Sequence, residues 1–336
     1  MSIETTAADA VAAKYFIPRR LGHVNLWVDS LAASERFYNN VAGLMVEFTE
    51  PDLIASFLGT GNTPHDLGIM EVTRGKDRYG RDGIVQLPGT IGLEPGLNHL
   101  AWELPDERML VDAFKRLKRD DVETDLTVDH QVAHSVYIFD PDGNYNEFYC
   151  DTIKDWRAVL TGPMDLLTQH WDPLASSGST EPLYDEAPIL RTQPGAPLAP
   201  ARISHAVIKT ASLDQLVDFY SRIAGLKVVA AHRGPGGRAV YLGGSLNSYE
   251  HNLVLLESNT PGYGRACFEL ASAEDLATAR RSLDDAGIAI ADSIDVPWKS
   301  SIFLVDPDGM RCEFYVRLDG DILPGSVEKG AFELAV

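Results

Sequence analysis

The sequence predicts an α+β fold: four βαβββ modules paired into two domains, each a curved mixed sheet enclosing a cavity. Two observations predict it. HVNLWVDSLAASERFYNNVAGL, from His23, and HAVIKTASLDQLVDFYSRIAGL, from His205, are two copies of one unit. In both, Phe-Tyr follows the His by 14 and 15 residues and a Gly follows it by 20. The second observation is a pair of closing stretches, YIFDPDGNYNEFYC and FLVDPDGMRCEFYV, each placing a Glu seven residues after the first Asp of DPDG. Self-similarity at a large fixed period marks a duplicated architecture. A chain of 336 residues also exceeds the length at which one core usually stops growing.

Residues 1–19 read as an N-terminal arm. The first module opens with a strand at His23 that alternates with period 2. A helix started by Ser30 and ended by Gly43 follows, then the strands MVEFTE, IASFLG and HDLGIMEV. The second module comprises NHLAWEL, a helix over 106–119, and the strands DLTV, SVYIFD and NEFYCD. These two modules make a domain over 20–152. Segment 153–200 is rich in Pro, Ser and Gly, lacks periodicity, and reads as a linker partly ordered against both domains. The second domain, 201–318, repeats the scheme. It has a helix started by Ser212, the strands KVVAAHRG, RAVYLGG and HNLVLLES, then RACFELA, a helix over 273–287, IAIADSI, SIFLVD and CEFYV. DPDG turns each final hairpin. Residues 319–336 form a C-terminal tail.

Composition excludes several function classes. A net charge of −20 disfavours nucleic acid and anionic membrane as partners, because both demand clustered Lys and Arg. No run of about 18 apolar residues suggests a membrane span. The N-terminal stretch lacks both a basic segment and an uninterrupted apolar one, so no secretion signal is read. The three cysteines, Cys150, Cys267 and Cys312, share no CxxC spacing, and a reduced cytoplasmic setting is expected.

Strand alternation places His23, Asn25 and Trp27 on one face, His99 and Glu103 on another, and Glu147 with Tyr149 on a third. If two modules curve into one sheet, His23, His99 and Glu147 converge in its concavity. Two imidazoles and one carboxylate with open positions opposite suit a non-heme Fe(II) centre. Taken singly, each residue reads as ordinary: a strand His is usually packed in a core, and a Glu at a strand end is usually solvated. The signal lies between the copies. His99 precedes Glu147 by 48 residues, and Arg265 precedes Glu313 by 48. The second copy keeps His205 and Glu313 but carries a guanidinium, which stays protonated and has no lone pair for a metal. Tyr137 corresponds to Phe303, and Asn25 to Val207. The first domain is read as the metal-binding one and the second as a degenerate, metal-free copy.

These residues resemble the type I extradiol ring-cleaving dioxygenases of the vicinal oxygen chelate (glyoxalase/bleomycin resistance/dioxygenase) superfamily. The resemblance spans roughly 20–152 and 202–317. It is most specific at Tyr137-Ile-Phe-Asp-Pro-Asp-Gly-Asn-Tyr-Asn-Glu147, similar to a family motif that ends in the carboxylate ligand. His23 and His99 look like its two His ligands, and His65-Asp66 looks like a His-Asp whose His is the acid–base. The resemblance implies an Fe(II) enzyme, with Mn(II) the alternative, that cleaves a catechol-like diol with O2 and forms homo-oligomers. By that resemblance Tyr137 hydrogen-bonds a substrate oxygen and Asn25 contacts the bound ligands. The family's further His near the last hairpin has no match at its usual spacing; His130, ahead of His134, is the nearest candidate.

Two features depart from the best-known members. In those, the working metal sits in the C-terminal domain, whereas here the full set stands in the first. The stretch over 71–96 is longer than in those members and is expected to line or cover the pocket. Arg74, Arg78 and Arg81 read as surface charge or as partners of a substrate carboxylate. A glyoxalase-type isomerase or lyase, or a non-catalytic binding protein, remain the other readings of the same fold.

Overall fold

The computed structural model describes residues 14–79, 83, 85–164, 169–234, 236–247 and 250–336; Arg81 and residues 1–13 of the arm lie outside the described residues. The first module comprises β1 (Arg20–Val28), α1 (Leu31–Asn40), β2 (Met45–Glu50), β3 (Ala55–Gly59) and β4 (Leu67–Glu71). A short hairpin, β5 (Arg78–Tyr79) with β6 (Val85–Leu87), leads to the second. That module comprises β7 (Gly96–Glu103), α2 (Glu107–Arg119), β8 (Thr127–Asp129), β9 (Ala133–Phe139) and β10 (Tyr145–Asp151). Two edge strands follow, β11 (Gly162–Pro163) and β12 (Gln169–His170). The third module has β13 (Pro200–Thr210), α3 (Leu213–Arg222), β14 (Lys227–Gly234), β15 (Gly237–Gly243) and β16 (Leu253–Glu257). The fourth has β17 (Gly262–Leu270), α4 (Ala273–Asp285), β18 (Asp292–Val296), β19 (Lys299–Val305) and β20 (Arg311–Arg317).

The first sheet runs β11-β2-β3-β4-β1-β7-β10-β9-β8-β12, and the second β14-β15-β16-β13-β17-β20-β19-β18. Within each, two modules meet edge to edge through one antiparallel pair, β1 with β7 and β13 with β17. The helices lie where periodicity put them. In α2, Leu110, Val111, Phe114 and Leu117 are buried at i, i+1, i+4 and i+7, and Asp106 caps the start by accepting from the Met109 amide at 2.8 Å. Expected strand IAIADSI begins later, at Asp292, because Ile288 and Ile290 turn into the core as part of the connection.

The repeated motifs prove to be devices that lock the domains together. Tyr38 on α1 donates to Asp306 Oδ2 of the second DPDG turn, and Tyr220 on α3 donates to Asp140 Oδ2 of the first, both at 2.9 Å. Ser34 with Asp308 (3.1 Å) and Thr210 with Asp142 (2.5 Å) repeat this reciprocity. The two AGL glycines follow the same symmetry. Gly43 (φ 80°) leaves room for the Leu198 carbonyl and Gly225 (φ 75°) for that of Phe16, where any Cβ would collide. Phe16 is fully buried and stacks on Phe148 at 3.8 Å, so the arm ends as core.

Segment 153–200 is not a free spacer throughout. Trp156 and Leu160 are buried against Trp27, Phe48 and Phe57, and β11 and β12 extend the first sheet. The tail likewise packs inward. Phe332 of α5 (Phe332–Ala335) and Val336 just after it are buried with Val207, Tyr241, Cys267 and Tyr315 on the concave face of the second sheet. That concavity is filled, whereas the first stays open. All three cysteines are buried and unpaired. Among the described residues no helix is long and apolar enough to cross a membrane.

Candidate metal centre and active site

Strand register builds the site. One row across the first sheet reads His23, Ala101, Glu147, Tyr137 on β1, β7, β10 and β9; the next reads Asn25, His99, Tyr145, Phe139. Ala101 is the small member, and its methyl leaves space between His23 and Glu147. Two bulges sit beside the histidines. The β1–β7 register slips at Gly22 and again at Asn98, which turns the adjacent side chains inward. A Cβ at Gly22 would lie 2.0 Å from the Tyr149 hydroxyl, so that ring fits only over glycine.

His23 Nε2 and His99 Nε2 each lie 3.1 Å from Glu147 Oε2 and 3.4 Å from one another. Bonds of about 2.1 Å put neighbouring ligands about 3.0 Å apart on an octahedron and about 3.4 Å apart on a tetrahedron. The three donors therefore fit one cation of transition-metal size. The groups behind them suit the task. Asn98 Oδ1 contacts His99 Nδ1 at 2.7 Å, which leaves Nε2 for a metal, and Ser135 donates to Glu147 Oε1 at 2.5 Å, which leaves Oε2. Burial keeps the His99 imidazole below its ordinary pKa and hence neutral. Burial also opposes charge on Glu147, yet its contacts with His23 and His99 hold it well below the usual carboxylate range.

The other expected residues divide. His65, in the turn before β4, packs tilted against His23, with ring centres 3.9 Å apart, and meets Phe57 edge to face. Both of its ring nitrogens are buried without a partner, and burial, the largest cause, drives its pKa well down. His130 Nε2 contacts the Tyr137 hydroxyl at 3.0 Å and lies 3.8 Å from Glu147 Oε1. Burial and then Glu147 hold the Tyr137 phenol well above its ordinary pKa, so it stays protonated. Asn25 lines the same cavity, its Oδ1 unpartnered and pressed over Gly68. His134 does not join them; it pairs with Glu107 at 2.9 Å and stacks on Trp171. Asp66 is structural, accepting from Thr60 at 2.7 and 2.9 Å and from the Ile203 amide of the second domain. Neither described arginine reaches the cavity. Arg74 pairs with Asp29, and Arg78 is spent on the Leu53 and Val72 carbonyls.

The cavity measures about 650 Å³, and Leu87, Pro88 and Ile91 of the 71–96 stretch line it. Glu50, at the end of β2, also lines it, and sequence reasoning missed this residue. Phe48 and Glu50 share a strand face, but only the sheet order shows which face is concave. Burial, then the neighbouring Asp52 charge, pushes the Glu50 carboxyl from 4.5 up to about 8. Between those values the folded chain holds a proton that the unfolded chain has released, so this group's contribution to stability is lost as pH rises. Glu50→Gln is expected to be more stable than the parent at pH 9, by on the order of 5 kcal/mol, with the gain vanishing near pH 4. Urea denaturation midpoints at both pH values check this.

The second domain retains a related cluster, His205, Cys267 and Glu313, whose donor atoms lie within 4.8 Å of one another. Its carboxylate is already engaged. Arg265 Nε and Lys299 Nζ each contact Glu313 at 2.7 Å, as does the Ser301 hydroxyl. Burial opposes charging Glu313, yet Lys299 and Arg265 bring its pKa down to about 2. Lys299 was legible but overlooked: it stands 14 residues before Glu313, where the first copy has Ala133. Two fixed cations beside the carboxylate oppose a third.

Comparison with known proteins agrees with this architecture. The model of the Glyoxalase/Bleomycin resistance protein/Dioxygenase superfamily matches residues 20–148 and 202–314. A catechol-2,3-dioxygenase of Bacillus subtilis (strain 168) is 28% identical over 239 residues, covering 70% of this chain and 73% of that protein. The crystal structure of BphC, a halotolerant catechol dioxygenase, superimposes with a TM-score of 0.62 at 14% identity, covering 92% of this chain and 90% of that one. A Mn(II)-bound glyoxalase from Novosphingobium aromaticivorans superimposes at 0.59 with 18% identity, covering 90% of this chain and 84% of that one. With the family model matching well over half of its length, the chain belongs to the Glyoxalase/Bleomycin resistance protein/Dioxygenase superfamily.

Proposed function

We propose that this chain is an extradiol dioxygenase, cleaving a catechol-like diol with O2 at an Fe(II) ion, or Mn(II), held by His23, His99 and Glu147. The observation that carries this reading is a three-donor set at the floor of an open apolar cavity, with an unpartnered imidazole packed beside it. The relative that is a catechol-2,3-dioxygenase supports it.

When bound, the cation would supply a positive centre that lowers the diol's pKa and offers open positions to diol and O2 together. The chain's own residues supply the rest. His65, kept neutral by burial, presents one N–H donor and one lone pair, and neither is committed elsewhere. Its lone pair can take a proton from the diol, and the imidazolium so formed can return that proton to an oxygen beside His23. Tyr137, held protonated, donates a hydrogen bond to a substrate oxygen, and His130 orients the phenol. Asn25 offers an amide on the opposite side. The surrounding apolar wall excludes water from the reacting atoms.

The test is oxygen uptake by the protein loaded anaerobically with Fe(II) and given catechol, followed alongside the absorbance of a ring-opened semialdehyde. Stoichiometric uptake with a yellow product is expected. No uptake, together with turnover of a glutathione hemithioacetal, would assign the site to the glyoxalase chemistry of the same superfamily instead.

A further inference from the structure

We propose that the cavity selects an extended, uncharged ring diol, and that Glu50 is its specificity-determining residue, donating a hydrogen bond to a neutral acceptor at the end of the substrate remote from the diol. This rests on the diol-cleaving function proposed above and adds to it the shape and polarity of the substrate.

Volume is the first argument. A cavity of about 150 Å³ suffices to hold benzene. The present cavity, at 650 Å³, holds several such volumes and lies in the range used for drug-sized ligands. Its length runs along β1. The ligand row contains His23, the next contains Asn25 and His99, and the third contains Trp27. That third row continues through Met70 and Ala55 to Glu50. Four residues of strand separate the first row from the third, about 13 Å. A single ring anchored at the floor therefore leaves the outer part of the cavity empty. The outer wall is apolar, formed by Trp27, Leu53, Met70, Leu87 and Pro88. Ile91, Leu126 and Phe139 line it and also lie exposed, so apolar surface continues to the mouth.

Charge is the second argument. No Lys or Arg lines the cavity among the described residues. A substrate carboxylate would be desolvated there without a counter-ion and beside Glu147, which is costly. The other carboxyls of the wall are engaged or lie elsewhere. Asp125 accepts from the Tyr145 hydroxyl, and Asp151, whose Oδ1 is also buried without a partner and whose carboxyl burial and then Glu103 push up to about 8, lies beyond Tyr149 on the far side of the ligand row. Glu50 is the unpartnered carboxyl of the outer row. It is 6% exposed, faces the cavity, and has no hydrogen-bond or ion-pair partner among the described residues. A buried polar group in that state calls for a ligand atom. Protonated through neutral pH, it is a donor, which pairs with a carbonyl or ether oxygen.

The experiment uses the full-length protein loaded with Fe(II) and a matched series of two-ring diols. The outer ring carries a carbonyl group, nothing, a carboxylate or an ammonium group, and unsubstituted catechol is the reference. Binding is measured anaerobically by calorimetry, and kcat/KM in air. The carbonyl diol should bind and turn over about tenfold better than its unsubstituted parent, and both should exceed catechol. Glu50→Leu should collapse that preference to near one, while Glu50→Gln, whose amide also donates, should keep most of it. Equal treatment of parent and carbonyl diols by the wild type would overturn the proposal. So would a preference for the carboxylate or ammonium diol, or a preference that survives Glu50→Leu. If Glu50→Leu does not fold, the wild-type ranking and Glu50→Gln decide alone. Cleavage of catechol with no gain from a second ring sinks this inference but leaves the diol-cleaving reading intact. Failure to cleave any diol sinks that reading, and the calorimetric ranking still judges the cavity.

Discussion

His99→Ala is expected to leave a folded protein that no longer retains a divalent metal and has lost ring-cleaving activity. His99 supplies one of three donor atoms, and its removal leaves one imidazole and one carboxylate to hold the ion. Altering a group behind a ligand typically costs 10–100-fold in affinity or activity, so removing a ligand itself should cost more than about 100-fold. The fold should survive because His99 sits on a cavity wall rather than in the packed core. Arg265→Ala is the control at the matching position of the second domain. It breaks a buried ion pair, which should cost about 3–5 kcal/mol of stability, yet the metal content should stay near one ion per chain. Metal analysis after gel filtration, with circular dichroism for folding, reads both variants. Metal retained by the His99 variant and lost from the Arg265 variant would place the ion in the second domain.

His65→Ala is expected to separate holding the metal from turning over the substrate. His65 is no member of the donor set, so metal stoichiometry and anaerobic diol binding should stay close to wild type. Removing a positioned acid–base typically costs 10²–10⁴-fold, and kcat should fall by that order. Single-turnover absorbance measurements after mixing the diol complex with O2 would show the loss in the chemical phase. An unchanged kcat would remove His65 from the reaction and leave its packing against His23 as its whole role.

Much of the fold was legible because alternation and helical spacing are local properties. The β2 and β14 strands began and ended where their apolar pattern did. The DPDG turns were legible as turns, but their larger role was not. That Asp140 accepts from Tyr220 and Asp306 from Tyr38 depends on two domains meeting about a pseudo-twofold axis. For segment 153–200, partial order was expected, but not which side chains dock. Trp156 and Leu160 carry no periodic signal, and two buried side chains suffice to dock an irregular stretch.

From the sequence alone came the pairing of His23, His99 and Glu147 as one donor set, and the disqualification of its counterpart. Strand parity gives each side chain its face, and a guanidinium offers no lone pair in any fold. The tertiary structure alone decided that one concavity is open while Phe332 and Val336 fill the other. It also decided that Glu50, rather than Arg74 or Arg78, faces the cavity. The physical reason is range: periodicity constrains neighbours along a strand, whereas filling a cavity depends on which distant segments bury their apolar surface there.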